Sequence, residues 1–442
     1  MMSFLNDRLN IALFFSCLLV ASIVTSPFLL TLSMIALLLL SFVSFPKEGN
    51  GKFELNTTAF QRITNYQQHL SLLVISLFFG IVLFSGWQTV GNYDYLLERL
   101  RIKLPFLILP IAFLGLPKFT SRYINHLLYF LLLFMTLMSI GIGIYYFLHF
   151  SEVQHGLSRG HAMPTPRNHI RHSLLTAISI LGGLHLIMQK YCWKSEKEKR
   201  LIKFLTFFFF FFIHVLSVKS GLVCLYFSLG VLLLRYIYVS RKYVLGAGLL
   251  LGLLLIPFIA YHSIPSLKQK IGYMFYDLAQ HQKGEGAIYA DSGRIISFKA
   301  GVELFKRNPV FGVGVGNFRR EVNELYAEQY PDYVQALMPH NQFLFVLAST
   351  GLFGLGLFLV AFFLPLFYKK AYRNFFFLGF YMLSLMAFLL EHTIENAAGV
   401  ATFSFFVILL PVWLRPTDRL DNILKDQPSG VSPVKNFSRK TS

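Results

Sequence analysis

Twelve apolar runs, each near the length that crosses a bilayer, constrain this chain more than any other feature. They lie near 10–25, 28–45, 69–88, 103–117, 126–149, 172–190, 204–218, 221–238, 243–261, 341–367, 374–390 and 399–414. A helix needs about 20 residues to cross the hydrocarbon. No water is available there, so each segment must satisfy its own backbone N–H and C=O groups, which a helix does and an open sheet does not. The expected fold is therefore all-α, a polytopic transmembrane helical bundle of about twelve spans. The fourth and seventh runs are the shortest for the task. Composition agrees: of 442 residues, 55% are hydrophobic and only 14% charged, far from the average of a soluble domain. At the amino end, hydrophobicity resumes after Pro27 and no small-residue cleavage signature appears, so this region reads as a retained helical pair rather than a leader. The expected organisation is a transmembrane domain over 1–414 and a disordered cytoplasmic tail over 415–442, rich in polar residues and proline.

The net charge of +19 does not indicate nucleic acid. Most of the 40 Lys and Arg fall in short segments between apolar runs, the pattern that sets orientation in a membrane. With the amino terminus in the cytoplasm, Arg8, Lys47, Lys52, Arg62, Lys118, Arg122, the cluster Lys190–Lys203, Arg235, Arg241, Lys242, Lys369, Lys370 and Arg373 all fall inside. The long interval 262–340, between the ninth and tenth spans, then falls outside as a partly helical loop. Cys17, Cys192 and Cys224 form no CxxC pair and suggest neither a zinc site nor a disulfide framework. No metal or cofactor is expected.

Two outer segments carry polar residues suited to chemistry. In HAMPTPRNHIRHS (161–173), Thr165 can cap a helix with Pro166 at its first position, which places Arg167 in the first turn and Arg171 one turn later. Cations at a helix amino terminus oppose its dipole, an arrangement that an anion there would offset; the plainer alternative is that these arginines snorkel to lipid phosphates. In the second segment, Asp291 or Ser292 can cap a helix that buries Ile295, Ile296, Phe298, Val302 and Phe305, with Arg294 in its first turn and Pro309 as its stop. Then comes GVGVGNF, whose Gly312, Gly314 and Gly316 let backbone approach a ligand or form a plain turn. This is not GxGxxG, and no βαβ unit surrounds it. Pro339, His340 and Asn341 close the interval; a neutral imidazole there suits a general base near neutral pH.

The order SGR (292–294), NPVFGVGVGNF (308–318), PHNQFLFVLASTGLFGL (339–355), late in a twelve-span chain, resembles the O-antigen ligase and polysaccharide polymerase superfamily. The distinctive part covers about 291–355. The resemblance implies a metal-independent glycosyltransferase of the bacterial inner membrane, and direct displacement of the diphosphate would make it inverting. Its donor would be a glycan on undecaprenyl diphosphate, and its acceptor a hydroxyl of lipid A core or of another glycan, on the periplasmic face. It also implies His340 as the base and Arg294 as a catalytic, diphosphate-holding residue, with Arg167 and Arg171 of the RNHIR stretch as further diphosphate contacts; the residues themselves add Lys219, Gly314 and Gly316 as candidates for the same role. Where the superfamily often has a Ser-Arg pair, this chain has Val218, Lys219, Ser220 and Gly221, a point charge in place of a bidentate fork. Asn341, Glu391 and His392 are candidates for the acceptor pocket.

A ligase and a polymerase share the donor and differ in the acceptor, so spacing alone leaves both open. A flippase for a lipid-linked sugar is the alternative from another class. Such carriers place ionisable residues at mid-membrane and show repeated halves; here only Glu391, His392 and Glu395 approach that description, and no internal repeat is visible. Two smaller features have plain readings: Phe207–Phe212 as lipid-facing filler, and His214 as a hydrogen-bonded interior histidine.

Overall fold

The computed structural model describes residues 8–44, 54–64, 66–333 and 335–413. The expected tail, 415–442, lies outside the described residues. Nineteen α-helices follow one another: α1 (Arg8–Thr25), α2 (Pro27–Phe42), α3 (Thr58–Thr64), α4 (Tyr66–Leu73), α5 (Leu77–Ser85), α6 (Tyr93–Lys103), α7 (Pro105–Gly115), α8 (Ser121–Leu148), α9 (Phe150–Ser158), α10 (His169–Met188), α11 (Lys197–Leu216), α12 (Lys219–Ser240), α13 (Tyr243–Ser263), α14 (Pro265–Gln282), α15 (Ala290–Arg307), α16 (Phe318–Gln329), α17 (Gln342–Phe367), α18 (Phe375–Leu390) and α19 (Ala397–Trp413). The strand content of the described residues is one two-residue antiparallel pair, Val43 opposite Leu55 and Ser44 opposite Glu54.

Among the described residues, seven helical segments are long and apolar enough to cross a membrane: α1, the run His69–Gln88, α8, α10, α12, α13 and α17 with its continuation to Arg373. Pro27–Phe42, Phe375–Leu390 and Ala397–Leu409 are apolar but shorter. The two remaining runs are weaker for a physical reason. Eleven-residue α7 carries Pro110 in its interior, and α11 opens on KEKR, which shortens its apolar part. Seven of the twelve expected spans thus have the length and composition of a membrane crossing among the described residues, and the other five have shorter apolar parts.

α10 is the most enclosed of the seven and packs against α8, α11, α12 and α18, whereas α13 is the least enclosed. The Phe207–Phe212 run is not uniformly lipid-facing. Phe207 and Phe211 are exposed, but Phe209 and Phe212, on the opposite side of α11, are buried, as a helical period of 3.6 requires of six consecutive residues. His214 is an interior histidine, with Nδ1 2.8 Å from the Phe210 carbonyl and Nε2 2.8 Å from the Tyr226 hydroxyl.

The interval between α13 and α17 has a small core of its own, built from Ile296, Ala300, Leu304, Phe318, Val322, Leu325, Phe345 and their neighbours. The face that α15 buries differs from the expected one. Ser292, Gly293, Ile296, Ser297, Ala300, Gly301 and Leu304 are inside, while Phe298 is exposed. Small residues prevail because the chain entering α17 lies close against them. A Cβ at Gly293 would stand 2.9 Å from Leu337, and one at Gly301 would stand 2.9 Å from both Pro339 and Leu344. This close approach sets His340 beside α15.

Inside α17 the backbone breaks at Gly351 (φ 65°, ψ −168°), in a region essentially reserved for glycine. The break frees backbone groups that would be costly to leave unpaired, and the glycine-rich loop takes them up. Leu352 N–H donates to Pro309 O (2.9 Å), Phe353 N–H to Val310 O (3.1 Å), Val313 N–H to Ala348 O (3.2 Å) and Gly314 N–H to Ser349 O (2.9 Å).

Candidate functional site

A cavity of about 660 Å³ lies where α10, α12, α14, α15 and the approach to α17 converge; Lys219, Lys270, Arg294 and His340 line it, together with Asp291, His169, Tyr273, Tyr289 and Tyr333. α15 is positioned there by a remote cap. Asp277 of α14, fully buried, accepts from Asp291 N–H (2.7 Å), Ser292 N–H (3.1 Å) and the Ser292 hydroxyl (2.5 Å). A carboxylate at a helix amino terminus pairs orphan donors and opposes the dipole favourably. Neither Asp291 nor Ser292 is thus the cap: the helix begins at Ala290, Tyr289 occupies the cap position without a side-chain bond, and the capping oxygens come from another helix. Arg294 stands just past the first turn.

Arg294 and His340 meet on a single carboxylate. Arg294 Nη2 is 2.5 Å from Glu391 Oε1, and His340 Nδ1 is 2.9 Å from Glu391 Oε2. The His340 backbone N–H donates to Ser297 Oγ (3.3 Å), whose hydroxyl donates to Arg294 O (2.8 Å). Glu391 is 7% exposed. Burial raises its pKa, but the hydrogen bond from His340 and the charge of Arg294 outweigh this and hold it below the usual carboxylate value. On the same side, the His392 ring centroid is 5.0 Å from that of His340, and burial lowers the His392 pKa, with the charge of His340 adding to the effect.

Glu391 and His392 therefore stand behind His340 rather than among the cavity-lining residues. Asn341 caps α17, accepting from Leu344 N–H at 2.9 Å and donating to Leu389 O at 3.0 Å. His340, Glu391 and His392 also bring three ligand-type atoms within 4.8 Å of one another. That set fits a metal cation poorly: both Glu391 oxygens already take donors, and one donor is a guanidinium whose charge opposes a second cation there.

Lys219, at the first position of α12, is bidentate on Asp291, at 2.5 Å from Oδ2 and 2.7 Å from Oδ1. Arg167 and Arg171 sit elsewhere. The helix expected to start at Pro166 starts at His169, because Asn168 is extended (φ −149°, ψ 119°) and its side chain accepts from Arg171 N–H at 3.1 Å. Asn is among the strongest caps, and Thr165 is displaced from the role. Arg167 accordingly precedes the helix and reaches toward Ile23 O at 3.4 Å. Both arginines line a small separate cleft with Ile23, Val24 and Pro166, not the large cavity. Gly314 and Gly316 are also away from it. Gly314 closes the break in α17, and a Cβ at Gly316 would fall 2.3 Å from Thr89 Oγ1, so this run serves close backbone packing rather than an anion.

Residues that sequence reasoning passed over include Lys270, Tyr273 and Asp277. They recur at a spacing of three and four on α14, a polar face in SLKQKIGYMFYD after Pro265, and that periodicity was the available signal.

Taken together, the structure is that of a helical membrane protein with a cavity lined by Lys219, Lys270, Arg294 and the His340 imidazole. Residues 204–359, which carry Lys219, Asp291, Arg294 and His340, match the family model described as O-antigen ligase. Over that part of its length the chain is similar to the O-antigen ligase family. No curated protein matches the chain.

Proposed function

We propose that this chain is an inverting glycosyltransferase of the bacterial inner membrane that moves a glycan from undecaprenyl diphosphate to an acceptor hydroxyl on the periplasmic face. All twelve apolar helices are read as spans, which puts the interval carrying Arg294 and His340 outside the cytoplasm under the orientation set by the short basic loops. The observation that carries the proposal is the sharing of Glu391 by Arg294 and His340 at the wall of a cationic cavity.

With Nδ1–H directed at Glu391, His340 keeps the Nε2 lone pair free. The acceptor O–H gives its proton to that nitrogen as its oxygen bonds the anomeric carbon from the face opposite the diphosphate. The bond from carbon to phosphate oxygen breaks, its electron pair leaves with the diphosphate, and configuration inverts. Negative charge grows on the leaving group during this step, so Arg294 and Lys219, already in place, stabilise the transition state more than the bound donor. Glu391 is a positioning residue: it fixes the tautomer of His340 and stabilises the imidazolium that forms. The scheme routes no step through a metal.

Full-length protein in proteoliposomes, given a lipid-linked glycan donor and an acceptor, tests the reading. His340→Ala is expected to lower transfer by about 10²- to 10⁴-fold, the usual contribution of a general base, while the protein stays folded in detergent with a melting temperature lowered only by the loss of the Glu391 bond. Near-normal transfer by that variant overturns the assignment. The acceptor is identified by deleting the gene and examining surface lipopolysaccharide on gels: loss of all long chains marks a ligase, and a single repeat left on the core marks a polymerase.

A further inference from the structure

Three of the residues lining the large cavity are Lys or Arg, and two of these have a carboxylate partner. Arg294 is paired with Glu391 and Lys219 with Asp291. Lys270 differs. Its Nζ donates to Gly160 O at 2.7 Å and His161 O at 2.9 Å, and among the described residues no carboxylate is within ion-pair distance of it. The site is constructed rather than incidental. Gly160 adopts φ +90°, and a Cβ there would lie 2.4 Å from Cζ of Tyr273, so only glycine lets this turn lie on the Tyr273 ring and present its carbonyl to Lys270. The ammonium is also 5.8 Å from that ring's centroid.

We infer that Lys270 is the residue that selects a diphosphate over a monophosphate on the lipid donor, holding the second phosphate while Arg294, beside His340, holds the phosphate nearer the reacting carbon. This rests on the transferase reading above and assigns one lining cation to each phosphate. The two side chains come from different helices, α14 and α15, on one cavity, so a diphosphate can engage both whereas a single phosphate engages one. Carbonyl dipoles steer Lys270 without cancelling its charge. Burial, with the charge of Lys219 next, pushes its pKa down to about 8; an anion at this point restores the preference for the charged form.

The test measures binding of undecaprenyl diphosphate and of undecaprenyl phosphate to the full chain in nanodiscs, for wild type, Lys270→Met and Lys270→Arg. Lys270→Met is expected to weaken diphosphate binding about tenfold or more, the scale of a charge-assisted hydrogen bond, and to change monophosphate binding less than about twofold. Lys270→Arg is expected to keep most of the discrimination. Equal losses for both lipids overturn the inference, since they mean that Lys270 only supports the 160–161 turn; so does an unchanged diphosphate affinity in Lys270→Met. Wild-type protein that prefers neither lipid contradicts the transferase reading itself, a result distinct from either of those.

Discussion

His340 Nδ1 and Glu391 Oε2 are 2.9 Å apart, although 51 residues separate them in the chain. That one bond decides which nitrogen of the imidazole faces the cavity. Replacing Glu391 with Gln keeps an acceptor oxygen but removes the charge that balances Arg294 and stabilises an imidazolium. The expected result is a fall in transfer on the order of 10²-fold or more at saturating donor, with donor affinity changed far less, because Arg294 is retained. A parallel rise in KM without loss of kcat would instead make Glu391 a binding residue.

The same carboxylate ties stability to pH. Its folded pKa lies below the usual 4.5, with burial opposing the shift and His340 and Arg294 prevailing. A group depressed in the folded state contributes stability that is fully present above its unfolded pKa and is lost as pH falls through the folded value. The Glu391 contribution to the thermal melt should therefore hold steady from pH 7 to about 5 and be lost progressively below about 4.5, isolated as the difference between wild type and Glu391→Gln. Glu391→Gln should start lower at pH 7 and lack that component of the drop.

The long apolar helices were legible because hydrocarbon demands about 20 apolar residues whatever the sequence details, and Arg294 and His340, singled out in the polar interval, line one cavity. What failed was pairing at a distance. Asp277 caps a helix from fourteen residues upstream, and Lys270 enters the site through a helix whose polar face looked like ordinary loop. The glycine run shows how a motif misleads: three glycines fit an anion cradle and a tight backbone lock equally well until the partner is known, and the partner here is the break in α17. Arg167 was displaced by a local competition among caps, which Asn168 wins over Thr165.

That lock makes Gly351 a position where a methyl group cannot be absorbed. A Cβ there would lie 2.3 Å from the Val310 carbonyl carbon and oxygen, at a φ of +65°. Gly351→Ala should cost about 3 kcal/mol or more, combining the backbone penalty with the clash, read as a lower melting temperature or as loss of folded protein in detergent. Gly356→Ala, in the same helix with nothing within 4 Å of the added carbon, is the control and should be neutral or slightly stabilising.

Beneath the site, Lys103 fixes the turn that carries Glu391. Its Nζ is 2.6 Å from Glu395 Oε1 and 2.7 Å from Ile394 O, while Gln342, two residues after His340, donates to the same Glu395 oxygen at 2.8 Å and accepts from Ile394 N–H at 3.1 Å. Both charged side chains are almost wholly buried, so removing one strands the other. Lys103→Met should destabilise by about 3–5 kcal/mol, and Lys103→Met combined with Glu395→Leu should recover a large part of that loss, because an apolar pair often replaces a buried ion pair at little cost. Transfer should not recover in step with stability: the double variant still lacks the bonds that hold residues 391–395 against Gln342, so His340 and Glu391 lose their alignment. A double variant with both stability and full turnover would show that this network supports the fold alone.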